Sequence, residues 1–279
     1  MSSRRRHRSS DKARRGTRKM LHLMQCIVAH SDTNDTALHL EWQHEMDVAV
    51  VQESWAETRA ARLGKLAKIH PRYDVFFPIE DWAERKPRVI TYVHKDPKLQ
   101  TSQLRPFVSP DMCVIRVNNV TICNVYVQLG GDYHILTNLE GWQQPVGTVI
   151  AGDFNAVHWL WRSNHKRHKG PGERVAKWAE DHGLAVLNLE APTHQGGNVV
   201  DPTLSDIASA DAWVNPILYA RVDHYAIEAS IPVAAPPVPN PGKYRIPIDE
   251  WYELAQLIRQ NAPTFEEPQD PEDLNRMAD

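Results

Sequence analysis

The chain has 279 residues, enough for one large domain or two small ones, and its 42% apolar and 24% charged residues exclude wholesale disorder. Its longest apolar runs, about seven residues, are far shorter than a membrane span, and no apolar stretch follows Met1, so we expect neither a membrane helix nor a secretory signal. The three cysteines, Cys26, Cys113 and Cys123, lie in apolar runs and indicate reduced thiols rather than a disulfide framework.

The net charge of -3 conceals a basic N-terminal segment. Residues 1–19 carry nine Lys or Arg and one Asp, a net charge of +8, whereas the remainder carries 23 basic and 34 acidic residues, a net charge of -11. This segment, which includes Arg4, Arg5 and Arg6, predicts an arm that binds nucleic acid or directs nuclear import. A plain solvated tail is the alternative. We expect a nuclear location, with the cytoplasm as the alternative.

The apolar runs predict elements in a mixed order. In chain order they are a strand over 21–29, a helix with Ala37, Leu38, Trp42 and Met46 on one face, strands over 48–51 and 89–93, a hairpin of strands 112–117 and 120–127 turning at Asn118-Asn119, a strand over 148–151, a helix over 173–182, and strands over 184–189 and 225–231.

Composition divides the chain into five segments. We predict a disordered basic arm over 1–20, one α/β domain over 21–232, a Pro-rich linker over 233–247, a short amphipathic helix over 248–261 and a disordered acidic tail over 262–279. Hairpins together with crossovers predict mixed sheets, and strands that are apolar on both faces suit sheets covered by other layers.

Polar residues stand directly after several of the apolar strands, where the end of a strand opens to solvent. These residues are Gln52-Glu53, Tyr126, Asp153 with Asn155, Asp201, and Asp223-His224. A carboxylate is a hard oxygen ligand suited to Mg²⁺, and a His paired with an Asp is an oriented base or a phosphate-binding cation. Together they predict metal-assisted phosphodiester hydrolysis.

The order of these motifs resembles the endonuclease/exonuclease/phosphatase superfamily, and more closely the endonuclease domain of fungal-type non-LTR retrotransposons. The resemblance covers about residues 21–231. It is carried by Gln52-Glu53, Asn124-Val125-Tyr126, Gly152-Asp153-Phe154-Asn155, Asp223-His224, and the phrases at 31–34, 87–93, 151–159 and 191–194. It implies a four-layer α/β/β/α sandwich of two mixed β-sheets flanked by helices, with the site at one end.

The resemblance also implies a role for each residue. Glu53 would hold Mg²⁺ (or Mn²⁺), with Asp223 assisting at the metal or phosphate, and Asp153 would position or deprotonate the attacking water beside Asn155. His224 would face the phosphate, and Asp201 would hold its imidazole. Tyr126, Thr193 and Asn155 would contact the phosphate.

The sequence departs from the family pattern at three places. Ile27 stands where the family has an Asn beside the metal, Val222 replaces a Ser before Asp223-His224, and Val127-Gln128-Leu129 replaces Arg-Pro-Pro. Because isoleucine and valine side chains cannot hydrogen bond, we expect reduced activity.

Other residues support weaker hypotheses. His158, His165 and His168 with Cys123 lack the paired spacing of a zinc site. The basic loop over 162–169, with Arg162, Lys166 and Arg167, is either solvated or a DNA contact. Trp42, Trp178 and Trp251 are expected in the core.

These observations predict a Mg²⁺-dependent endonuclease that nicks double-stranded DNA and leaves a 3′-hydroxyl, with no membrane association and no obligate protein partner. Two alternatives stay open: a non-catalytic relic of that domain, and a superfamily phosphatase that acts on a small phosphoester.

Overall fold

The structure, a computed structural model, describes residues 20–31, 33–58, 65–80, 85–130, 133–164, 169–216, 218 and 222–233. The predicted linker, the predicted helix over 248–261, the acidic tail, and Arg4, Arg5 and Arg6 lie outside these residues. Within the described part, no helix is long and apolar enough to cross a membrane.

Fourteen strands and three helices make up the described part of the chain. In chain order they are β1 (Met20–Ile27), α1 (Thr33–Gln43), β2 (Val48–Gln52), β3 (Ala56–Thr58), β4 (Lys65–Ala67), β5 (Tyr73–Phe76), β6 (Val89–His94), β7 (Thr101–Leu104), β8 (Met112–Val117), β9 (Val120–Tyr126), α2 (His134–Glu140), β10 (Thr148–Asp153), α3 (Gly172–Asp181), β11 (Ala185–Val186), β12 (Leu204–Ser205), β13 (Asp211–Asn215) and β14 (Ala226–Pro232).

Two six-stranded mixed sheets form the body of the domain. The first has the order β13-β14-β1-β2-β6-β5 and the second β11-β12-β10-β9-β8-β7, while β3 and β4 form a separate pair. Only β1 with β2 and β9 with β10 pair in parallel among these strands, because α1 and α2 supply the crossovers that parallel neighbours require.

Three apolar clusters separate four layers. One cluster lies between the sheets and includes Leu23, Val50, Ile122 and Ala151. A second joins α1 to the outer face of the first sheet, and a third joins α2 and α3 to the outer face of the second. The predicted four-layer sandwich is confirmed, and the three cysteines are buried and unpaired as expected.

Helix α1 is rotated relative to the prediction. Its buried residues are Asn34, Ala37, Leu38 and Glu41. Trp42, expected in the core, is 39% exposed and lies against the Arg72 guanidinium. The prediction for Trp42 is therefore wrong. Burial raises the pKa of the Glu41 carboxyl, which favours its neutral form.

Three predicted boundaries also differ. The run 184–189 forms only the two-residue β11, because Asn188 leaves the ladder and binds the backbone of Thr203 and Asp201 instead. β1 begins at Met20, inside the predicted arm, and Val233, assigned to the linker, is buried in the core between the sheets. Trp178 lies in the core as predicted.

A layer of buried amides joins the two sheets below their strand ends. The Asn124 amide on β9 donates from Nδ2 to the carbonyls of Val51 and Ile90 at 3.3 and 3.1 Å and to Thr91 Oγ1 at 3.2 Å. Its Oδ1 accepts from Gln52 Nε2 at 2.7 Å. One side chain of the second sheet therefore fixes the positions of the neighbouring strands β2 and β6 of the first sheet.

We expect Asn124→Ala to lower the free energy of unfolding by about 3 kcal/mol, because it leaves several buried polar groups without partners. Chemical denaturation measures this change. Asn119→Ala, in the exposed hairpin turn, is the matched control and should stay within about 0.5 kcal/mol of the native protein. A loss below about 1 kcal/mol for Asn124→Ala would show that the bridge is dispensable.

Candidate active site

The topology collects the predicted polar residues at one end of the sandwich. β2, β9 and β10 all end there, which brings Glu53, Tyr126 and Asp153 to the same edge. Asp201 and His224 precede β12 and β14, which run antiparallel to β10 and β1, so these residues also lie at that edge.

Backbone geometry at the strand ends directs two of these side chains. Glu53 and Asn155, one and two residues past their strands, both have φ of 49°, in the left-handed region that non-glycine residues seldom adopt. Gly152 allows β10 to approach β9 closely, since a Cβ there would lie 1.9 Å from the Val125 carbonyl oxygen. Such local strain is typical of functional sites.

Glu53 is joined to the second sheet through Tyr126. The Tyr126 hydroxyl donates to Glu53 Oε1 at 2.7 Å. The guanidinium of Arg88 lies 5.4 Å from the Tyr126 ring centre and is itself held by Asp111 and Gln128. Arg88 stands directly before β6 and had no role predicted from the sequence.

Asp153 and Asn155 form a second group. The Asp153 carboxylate accepts from the Asn155 backbone N–H at 2.9 Å and from Asn155 Nδ2 at 3.1 Å, and the same amide donates to the Val127 carbonyl. Burial raises the pKa of Asp153, the charge of Asp201 raises it further, and His224 opposes both. A raised pKa suits a carboxylate that accepts a proton near neutral pH.

Asp201 holds His224 as predicted from the resemblance, with 2.9 Å between Asp201 Oδ2 and His224 Nδ1. Burial lowers the pKa of His224, but the Asp201 charge and hydrogen bond, with further charges from Asp153 and Asp223, outweigh burial and raise the pKa to about 9. The imidazole is therefore a cation at neutral pH, and its Nε2 is the nitrogen left for a phosphate.

Thr193 is fully buried, and its hydroxyl oxygen accepts the backbone N–H groups of Val200 and Asp201 at 3.0 and 3.3 Å. The side chain supports the Asp201 segment from behind, and the contact between Thr193 and the phosphate stays a prediction.

Asp223 lies beside His224, with 4.0 Å between Asp223 Oδ1 and His224 Nε2. The partner of Asp223 is His194, whose Nε2 lies 3.1 Å from Oδ2. Burial raises the pKa of Asp223, but the His194 hydrogen bond and the His224 charge lower it overall. No role was predicted for His194, although it lies in the phrase over 191–194 that carries part of the resemblance.

Ile27 and Val222, the two positions that depart from the family pattern, both lie close to the site. Ile27 is the register partner of Gln52 and shares the inward face of β1 with Gln25. Gln52 Oε1 is buried and has no hydrogen-bond partner. The neighbouring Ile27 side chain cannot donate a hydrogen bond to this acceptor. Val222 is half-buried and directly precedes Asp223.

The weaker hypotheses find little support. Arg162 is half-buried and donates to Asn164 Oδ1, while Lys166, Arg167, His165 and His168 lie outside the described residues. His158 faces Glu173, with 3.0 Å between Nε2 and Oε2. Neither His158 nor Cys123 joins a group of potential metal ligands in the described part of the chain.

Two cavities flank the Arg88 side of the site. A cavity of about 720 Å³ is lined by Arg85, Lys86, Arg88 and Tyr133 among others, and a smaller one of about 230 Å³ is lined by His30, Trp55 and the same Lys86 and Arg88. Basic groups therefore line the surface beside Tyr126, in a chain whose residues beyond 19 carry a net charge of -11.

The donor set fits a hard divalent cation. Glu53, Asp153, Asp201 and Asp223 bring four carboxyl groups to this edge, and the buried Asp201 Oδ1 has no hydrogen-bond partner. Burial is the main cause of the raised pKa of Asp153, and the negative charge of Asp201, which a cation would offset, raises it further. Glu53 and Asp223, which are not fully buried, are the residues that could bind it.

Comparisons with known proteins agree with this fold. Residues 120–228, less than half of the chain, match a protein-family model described as endonuclease-reverse transcriptase. The endonuclease domain of TRAS1, a telomere-specific non-LTR retrotransposon, superposes with a TM-score of 0.63 at 17% identity, over 77% of this chain and 99% of that one. A comparison with curated proteins found no match.

Two further solved structures share the fold. The 3′ phosphatase NExo from Neisseria, bound to a product DNA hairpin, gives a TM-score of 0.55 at 14% identity over 76% of this chain and 99% of that one. The AP endonuclease LMAP from Leishmania major gives 0.53 at 15% identity over 81% and 91%. Together with the family match, they confirm the resemblance to the endonuclease/exonuclease/phosphatase superfamily.

We expect Asp201→Asn to lower the pKa of His224 from about 9 toward the ordinary value near 6.5, because the carboxylate charge is its main stabilising partner. NMR titration in EDTA measures this pKa, with His224→Gln to assign the signal. Because the folded-state pKa is the higher one, the stabilisation by His224 is present below about pH 6.5 and lost as the pH rises through about 9.

Asp211→Asn is the control, since Asp211 is exposed at the edge strand β13 and should leave the His224 titration unchanged. A His224 pKa that stays near 9 in Asp201→Asn would contradict the assigned pair.

Proposed function

We propose that this chain is a Mg²⁺-dependent DNA endonuclease of the non-LTR retrotransposon type, weakened by Ile27 and Val222. The observation that carries the proposal is the meeting of three side-chain pairs at one edge of the sandwich. These pairs are Glu53 with Tyr126, Asp153 with Asn155, and Asp201 with His224.

Each pair has a separate role in phosphodiester hydrolysis. Asp153, held by Asn155, orients the attacking water and takes its proton. The water oxygen bonds to phosphorus and the bond from phosphorus to O3′ breaks, leaving a 5′-phosphate and a 3′-hydroxyl that takes its proton from solvent. His224, kept cationic by Asp201, donates from Nε2 to a phosphate oxygen and stabilises the developing charge.

Glu53 and Asp223 are the residues that would hold the Mg²⁺, which supplies charge neutralisation at the phosphate when bound. Tyr126 keeps one oxygen of Glu53 occupied and so orients the carboxylate. Mn²⁺ is an alternative, because it also prefers oxygen ligands.

The surface beside the site supports a polyanionic substrate. Arg85, Lys86 and Arg88 line the larger cavity next to Tyr126, a position where they can contact phosphates on one side of the cleaved bond. The basic segment over 1–19 adds a second source of phosphate contacts and supports a nuclear location. Both features favour double-stranded DNA over a small phosphoester.

We expect slow nicking of supercoiled plasmid in Mg²⁺ and none in EDTA. Glu53→Gln, Asp153→Asn and His224→Gln should each lower the rate by about a hundredfold or more, because each removes a charge that acts at the phosphate or the water. Conversion of supercoiled to open-circular DNA over time measures the rate.

Asp181→Asn, on the exposed face of α3, is the matched control and should nick at the native rate. Nicking that survives Glu53→Gln would refute the assigned site. Phosphate release from small phosphoesters without any nicking would favour the phosphatase, and no turnover on either substrate would favour the relic.

We expect Ile27→Asn to raise the nicking rate about tenfold, because an amide beside Gln52 restores a polar group at the end of β1 next to Glu53. Val222→Ser should raise it less, and the two changes should be non-additive, since both act on one site. Nicking rates of the single and double variants measure the effect.

Ile27→Val retains the apolar side chain and serves as the control, with no gain expected. Glu53→Gln in the Ile27→Asn background should abolish nicking. A native protein that already nicks rapidly, with no gain from Ile27→Asn, would show that this position does not limit activity.

A further inference from the structure

The segment that carries His194 is joined to the Asp223-His224 segment by a short ladder of backbone hydrogen bonds. Gln195 N donates to the Asp223 carbonyl and Tyr225 N donates to the Thr193 carbonyl, each at 2.8 Å, and His194 pairs with His224 as an antiparallel bridge. The two imidazole rings lie edge to face, 4.8 Å apart. The position of His194 next to the site is thus set by the backbone.

Hydrogen bonds determine which nitrogen of His194 carries the proton. The backbone N–H of Gly196 donates to His194 Nδ1 at 2.8 Å, so Nδ1 is an acceptor. In a neutral imidazole the proton then lies on Nε2, which faces Asp223 Oδ2 at 3.1 Å. His194 is therefore a hydrogen-bond donor to Asp223.

The proton on His194 Nε2 argues against a transition-metal site formed by the same residues. The ligating atoms of His194, Asp223 and His224 lie within 4.8 Å of one another, a spacing that could suit a transition metal. A metal on His194 Nε2 would require the proton to move to Nδ1, where the Gly196 N–H already points. The hydrogen bonds favour the donor role instead.

We propose that His194 is a positioning residue that holds the Asp223 carboxylate toward the reacting phosphate. The Asp223 side chain is 64% exposed, and His194 is the partner that fixes its Oδ2 while Oδ1 faces His224 Nε2. This inference rests on the proposed function, in which Asp223 acts at the metal or phosphate. His194 itself contacts neither the water nor the cleaved bond.

Gly196 completes the arrangement. A Cβ at this position would lie 2.9 Å from His194 Nδ1 and 3.2 Å from Cε1, so any side chain would push the ring away from its place. Gly196 is not among the described glycines with a positive φ, so its backbone conformation does not require glycine. Glycine is needed here because a side chain would collide with the His194 ring.

His158 provides a matched control inside the same chain. The Leu160 N–H donates to His158 Nδ1 at 3.1 Å, and His158 Nε2 faces Glu173 Oε2 at 3.0 Å. The pattern of a backbone N–H two residues on and a carboxylate at Nε2 is the same as at His194, but its carboxylate is on α3 rather than in the site.

The first experiment needs no catalytic activity. ¹⁵N NMR of the full chain labelled at histidine, in EDTA at alkaline pH, shows which ring nitrogen is protonated. We expect the Nε2–H form for both His194 and His158, each assigned by its Gln variant. The Nδ1–H form at His194 would overturn the proposal.

The second experiment compares crystal structures of the native protein and His194→Met, which has a side chain of similar length without a donor. We expect the Asp223 carboxylate to leave its native position in His194→Met and to keep it in His194→Gln, whose amide N–H can replace the Nε2 donor. An unchanged Asp223 in His194→Met would overturn the proposal.

The third experiment measures steady-state nicking. His194→Met should lower kcat about 10- to 100-fold with KM changed less than about twofold, and Gly196→Ala should act in the same direction. His194→Gln should stay within about fivefold of the native rate, while His158→Met and Gly141→Ala should match it. In a native protein that nicks, an equal rate for His194→Met, or no recovery in His194→Gln, would overturn the proposal.

A protein that shows the expected NMR and crystallographic results but no nicking would refute the proposed function and leave the positioning of Asp223 established. Normal nicking with an Nδ1–H His194 would refute the positioning role of His194 and leave the proposed function standing. The failures of the two proposals are therefore distinguishable.

Discussion

The hydrogen bonds of the Asn124 amide link the two sheets, and the active-site geometry depends on them. Glu53 follows a strand of the first sheet and Tyr126 a strand of the second, so their hydrogen bond requires a fixed register between sheets. Apolar packing between sheets is non-directional and tolerates sliding. Asn124 removes that freedom, because its amide pairs with Gln52, one residue before Glu53, and itself stands two residues before Tyr126.

Because the register is fixed, the site can hold buried charge and unfavourable backbone conformations. Glu53 and Asn155 adopt left-handed backbone conformations, and Asp153 is buried with a raised pKa next to Asp201. The surrounding strands hold these unfavourable conformations and charges in place. The loss of any one strand end would therefore release them. A cationic His224 offsets part of the negative charge, and a bound divalent cation would offset more.

Long apolar strands and the most amphipathic helix could be predicted from the sequence, because their periodicity is a local property. Short elements such as β7, β13 and α2 could not, since segments of four to seven residues are too short to show a clear periodicity. The orientation of α1 was also missed: burial of Glu41 instead of Trp42 depends on the sheet beneath the helix, which no local pattern encodes.

The types of residue at the strand ends, and hence the chemistry available, are properties of the sequence alone: carboxylates, an amide and a His after apolar runs, with Ile27 where a polar group was expected. The partners of these groups are tertiary facts. The contacts of Arg88 with Tyr126, His194 with Asp223, and Thr193 with the Asp201 backbone join residues that lie 38, 29 and 8 positions apart. Sequence periodicity reports which face of an element is buried, but a hydrogen bond between distant loops depends on where the folded sheets bring their ends.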